Sequence, residues 1–186
     1  MSVLADHALS ARLELTEGRG NAAFVNIQAR QDPASGATWH DFDGTLAMFS
    51  GVGSPLTQTF GLGLRSTPTA AELDAIEAFF ATRGSAVIHE VSPLAGVAVF
   101  ATLAQRGYRP VELSSVMFRP TGGDVDGRDV NPRIRVRMIT PAEAALYASV
   151  SARGWSESAE VQAFIDGFAR TSVEYATCIV AEIDDA

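Results

Sequence analysis

The sequence has no lysine. All 14 basic side chains are arginine, against 22 acidic ones, so the formal net charge is -8 over 186 residues. Any function that needs a lysine is excluded, and the acidic balance argues against a nucleic-acid partner. There is a single cysteine, Cys178, which rules out an internal disulfide and suits a cytoplasmic protein. Its apolar neighbours, Ile179 and Val180, read it as a small core residue. Long hydrophobic runs are also missing: no segment reaches the 18 or so apolar residues of a spanning helix, and the start lacks a basic n-region. The expectation is therefore no membrane. The histidines, His7, His40 and His89, have no ligand-type neighbours at metal spacing, so no metal site is expected.

What is present is ordinary globular composition, with 47% hydrophobic and 19% charged residues. A chain of this size buries roughly 70% of its extended surface, enough for stability without a metal or disulfide. Apolar spacing from Val3 to Arg30, through Leu4, Ala8, Ala11 and Leu15, predicts two helical pieces or one helix broken near Gly18 and Gly20. Asp43-Gly44 predicts a hairpin between TWH and TLAMF. Thr57 to Leu64 reads as a strand. A helix is expected from about Thr67, with Pro68 in its first turn, Glu72 and Asp74 near its positive end, and Leu73, Ile76, Phe79 and Phe80 on its apolar face.

AVIHEVS reads as a strand, and Ser92-Pro93 as the start of a helix that runs to Arg106. Gly107 is placed to take a left-handed conformation, with Tyr108 folding back on the last turn. Arg-Gly recurs at 83–84, 106–107 and 153–154, each read as helix-end chemistry. PVELSSVMFRP then reads as a strand. Residues 121–133, rich in Gly, Asp and Pro, read as a linker between a first domain, 1–120, and a second segment, 134–186. In that segment RIRVRMI is a strand, with Ile134, Val136 and Met138 turned inward and Arg133, Arg135 and Arg137 outward. Two helices and the strand ATCIVAEI follow. Asp184-Asp185 reads as half of a hairpin turn, so the chain is expected to be a fragment of a longer protein. A stop codon directly after Ala186 would refute that.

Candidate chemistry is sparse. His89 and Glu90 project to opposite faces of their strand, each able to face a cleft, with local hydrogen bonding as the plainer role. FGLGLRSTPTAAEL runs from a strand into a helix, yet as an anion cradle it is poor: Pro68 offers no amide and Glu72 repels anions. FSGVGSPL precedes no strong helix. Asp124, Asp126 and Asp129 lack the glutamate that closes a calcium loop. Tyr108 reads as a packing residue. No catalytic or cofactor-binding residue is assigned.

The order of elements, together with SGVGSPLTQTFGLGL, ELDAIEAFFATRG, HEVSPLA and LAQRGYRPVELSSVMFRP, resembles the GNAT superfamily of acyl-CoA-dependent N-acetyltransferases. It is most similar to the amino-terminal part of bacterial proteins with tandem GNAT-like domains. The resemblance implies an α/β (α+β) fold: a mixed central sheet flanked by helices in residues 1–120, then the truncated start of a second such domain. It also implies acetyl-CoA as acyl donor and a small-molecule amine as acceptor, with a homodimer as one arrangement. The family's acyl-CoA signature is Gln or Arg, two residues, Gly, any residue, then Gly or Ala. No such spacing follows Arg65, so the first domain is expected to be non-catalytic. The alternative is a ligand-binding or dimerisation module on a degenerate version of the same fold.

Overall fold

The computed structural model describes residues 5–118, 131–155 and 158–183. It is a mixed α+β protein that divides into two compact units between Arg109 and Pro110, each described here by itself.

The first unit opens with one uninterrupted helix, α1 (His7–Gln31), capped by the Asp6 carboxylate on the Leu9 N–H at 2.8 Å. The expected break is absent, because Gly18 is a contact residue: a Cβ there would lie 2.9 Å from Leu46 Cδ1 and 3.1 Å from Phe60 Cβ. Its loss of helix propensity is the cost of bringing the helix this close to the sheet. The buried stripe is Ser10, Glu14, Gly18, Ala22 and Val25, whereas Ala8 is exposed and Ala11 and Leu15 only half-buried.

Strands β1 (Thr38–Phe42) and β2 (Thr45–Phe49) form the expected hairpin, with Phe42 opposite Thr45 and a two-residue turn in which Asp43 and Gly44 both take positive φ. That is the turn whose twist matches the strands. β2 also pairs antiparallel with the short β3 (Thr59–Phe60). The expected strand through Leu64 stops there, because Gly61 and Gly63 turn at φ +82° and +79°. β2 is buried along its whole length. Leu46 meets α1 at Gly18, while Ala47 packs with Leu62, Leu73, Ile76, Phe80, Val99 and Leu103. A sheet covered on both faces requires such continuous apolar character.

Helix α2 (Ala70–Ala81) starts one residue after Thr69, which forms a capping box with Glu72. Pro68 thus precedes the cap rather than occupying the first turn. The strand expected at 86–92 is not formed: the segment joins the sheet through one parallel bridge only, Thr59 to His89. A 3-10 turn at Pro93–Ala95 leads to α3 (Val97–Gln105). At its end Tyr108 N–H reaches the Leu103 carbonyl and Gly107 N–H the Ala104 carbonyl, both at 3.0 Å, a Schellman closure with Gly107 at φ +87°. Gly84 closes α2 the same way through Ser85 and Phe80. The third Arg-Gly pair differs: Gly154 lies within a helix and has no positive φ.

In the second unit β4 (Ile134–Met138) and β5 (Ile179–Ile183) pair antiparallel, and α4 (Ala144–Gly154) and α5 (Ala159–Ser172) pack on each other. Cys178 is buried, as expected. On β4 the expectation holds in part. Arg133 and Arg135 are exposed as expected, but Ile134, Val136 and Met138 are exposed too, while Arg137 is half-buried between Glu182 and Glu143, both at 2.8 Å. A guanidinium fork that satisfies two carboxylates holds that side in place of apolar packing. The expected strand after Pro110 is not formed through Phe118, and Leu113 and Met117 are 94% and 92% exposed. The calcium-like aspartates and Asp184-Asp185 lie outside the described residues. Among the described residues no helix is long and apolar enough to cross a membrane.

Candidate functional site

The site of interest is where β3 and the extended segment 86–92 part. At their single bridge, Thr59 N–H donates to the Ile88 carbonyl and Glu90 N–H to the Thr59 carbonyl, each at 3.0 Å. The next rung of a parallel ladder would join Gly61 N–H to the Glu90 carbonyl and Ser92 N–H to the Gly61 carbonyl. Both are diverted. Gly61 N–H donates instead to Glu14 Oε2 at 2.8 Å, and the Gly61 carbonyl accepts from Leu64 N–H at 3.1 Å. One side chain from α1 thus takes the Gly61 amide at the mouth of the wedge.

Glu14 is only 7% exposed. Burial lifts its carboxyl from the ordinary 4.5 to about 7; the Gly61 and Ser92 amides pull it back down, while the charges of Glu90 and Glu17 push it further up. Beside it Ser10 Oγ and Ser92 Oγ lie 2.7 Å apart. The sequence reading passed over Glu14. The available signal was a row of small and polar residues, Ser10, Glu14, Gly18 and Ala22, at four-residue spacing.

His89 lies on the other side of the same segment. Its Nδ1 is 2.8 Å from Thr59 Oγ1, its ring is tilted against Tyr108 at 4.8 Å, and its buried Nε2 has no hydrogen-bond partner among the described residues. Burial lowers its pKa to about 4, with Glu77 opposing. Tyr108 donates to Glu77 Oε1 at 3.1 Å, and Glu77 Oε2 accepts from Arg106 at 2.9 Å. Burial, then the Glu77 charge, push the phenol up to about 12. A phenol that reluctant to ionise, and already committed to a carboxylate, is a packing group, in keeping with its place in the helix closure.

A shallow cleft lined by Thr45, Gly63, Arg65, Ser66, Pro68 and Glu72 opens beside the loop from β3 to α2. It does not fit a pyrophosphate. The Thr69 amide is held by Glu72 Oε2 at 2.6 Å, which keeps that carboxylate ionised at the helix start, and Pro68 has no N–H. Arg65 is paired with Asp43 at 3.0 Å. The signature spacing absent after Arg65 is met earlier, by Gln58, Gly61 and Gly63. Those glycines do not open a helix, since α2 begins only at Ala70. They serve close packing: a Cβ on Gly61 would lie 2.9 Å from the Gly44 carbonyl oxygen, and one on Gly63 2.6 Å from Val99 Cγ2. In the other glycine loop, Gly51 and Gly53 lie in a turn closed by Ser54 N–H on the Gly51 carbonyl. Compared with known proteins, the chain matches no family model, no curated protein and no solved structure.

Proposed function

We propose that residues 5–109 form a non-catalytic domain of acyltransferase-like topology, and that the activity it accompanies is transfer of an acetyl group from acetyl-CoA to a small amine. One observation carries the non-catalytic part. The Gly61 amide at the parting strands, where an acyl donor would need a free donor, is held by the Glu14 carboxyl. The antiparallel β1–β2–β3 order followed by a parallel bridge across a helix supports the topological part. The acetyl-transfer part rests on the sequence resemblance.

Calorimetric titration of acetyl-CoA into the 186-residue chain tests the reading. No heat of binding is expected, and no release of free CoA thiol with a panel of amines. One-to-one binding would overturn the non-catalytic assignment. A second reading, a homodimerising module, draws on the exposed row Ile134, Val136, Met138, Ile179 and Ile183 on β4 and β5. Sedimentation equilibrium decides it: a monomer at all concentrations would dismiss it.

A further inference from the structure

We propose that one face of the β4–β5 ribbon is a homodimer interface in which β4 of each copy lies on β5 of the other. The register puts six residues on that face as three cross-strand pairs: Ile134 with Ile183, Val136 with Ala181, and Met138 with Ile179. All six are exposed, the five larger ones by 42 to 68%. The opposite face is the one with partners, where Arg137 meets Glu182 and Glu143 and where Val180 is buried. This inference rests on the dimer reading above and adds to it the packing order of the two copies.

The occupant follows from what the face offers. None of its side chains carries a charge or a hydrogen-bonding group, so nothing on it selects a charged or polar partner, and a second copy presents the same apolar surface in return. The exposed area is on the order of 500 Å² per copy. A face-to-face pair therefore buries about 1,000 Å², the lower limit for a specific interface and enough for a weak dimer. Side-chain size then selects the symmetry axis. Two sheets packed face to face keep their strands within about 30° of one another, which leaves a two-fold axis either across the strands or along them. An axis across the strands lays β4 on β4, with Val136 on Val136 and Ala181 on Ala181, one contact crowded and the other empty. An axis along the strands lays Val136 of each copy on Ala181 of the other, Ile134 on Ile183 and Met138 on Ile179. Only this second arrangement sets large against small at the centre and leaves no void.

Sedimentation equilibrium of the 186-residue chain and its variants is the test. The wild type should dimerise with a Kd of about 1 to 100 μM. Val136→Arg should raise that Kd about tenfold or more, because it brings an unpaired guanidinium from each copy into the interface. Val52→Arg, at a residue 69% exposed on the first unit, should leave it unchanged. Ala181→Leu alone should weaken the dimer about fivefold or more by overpacking, and adding Val136→Ala should restore most of the loss. A dimer indifferent to Val136→Arg, or equally weakened by Val52→Arg, would overturn this interface and leave the dimer reading standing. A wild type that is monomeric at all concentrations would end both. If that monomer also melts lower in Val136→Arg, another part of the same chain covers the face. Failure of Val136→Ala to rescue Ala181→Leu would overturn the packing order. If Val136→Arg does not fold, the size exchange decides, since both of its substitutions are apolar.

Discussion

Glycines that look alike in sequence do different work in this chain. Gly63 and Gly53 both have positive φ, +79° and +76°, but a Cβ on Gly63 would run into Val99 whereas one on Gly53 would meet nothing within 4 Å. Gly53→Ala should therefore cost only the backbone strain, about 1 kcal/mol. Gly63→Ala should cost that plus overpacking of about 1–3 kcal/mol. Urea denaturation of both variants measures the difference, and equal losses would mean that Val99 yields freely. Glu14 and Gly18 make the same point for α1: neither is apolar, yet both face the sheet. Apolar spacing alone therefore points to the neighbouring stripe of Ala8, Ala11 and Leu15.

Among the elements, α2 shows how local chemistry sets a boundary. Thr69→Ala removes the hydroxyl that accepts the Glu72 N–H at 3.2 Å, and should cost about 1 kcal/mol. The loss should appear as faster amide exchange confined to the first turn, whereas no change there would mean that Pro68 alone starts the helix. This helix, the Asp43-Gly44 hairpin and the Gly107 closure were legible in the sequence because their causes lie within a few residues of one another. The lone bridge at His89 was not. Beyond it the Gly61 amide goes to a carboxyl 47 residues away, and no local pattern records a partner at that distance. The half-buried arginine of β4 has a similar cause. Arg137 finds Glu143 and Glu182, and the alternation in sequence cannot say which residue acquires partners.

For the first unit as a whole, two buried titratable groups with opposite shifts set the pH response. The Glu14 carboxyl is raised, so its contribution to stability is full below 4.5 and is lost as pH rises through about 7. His89 is lowered, so its contribution is full above 6.5 and is lost as pH falls through about 4. Between 4.5 and 6.5 the unfolded chain carries its proton on His89 and the folded chain carries it on Glu14. Their proton counts match, and the pair adds no slope. Relative to wild type, Glu14→Gln should make stability rise with pH in that window, and His89→Gln should make it fall, each by up to about 1.4 kcal/mol per pH unit. Denaturant midpoints across the window measure both slopes, and variants that track the wild type would refute the pairing.

The interception of the strand ladder by Glu14 underlies the non-catalytic assignment. It can be observed directly by nuclear magnetic resonance, as scalar coupling across the hydrogen bond made by the Gly61 amide. The correlation should run from the Gly61 nitrogen to the Glu14 side-chain carboxyl carbon. A correlation to the Glu90 backbone carbonyl carbon would mean that the strands zip on past Thr59, leaving Glu14 outside the wedge.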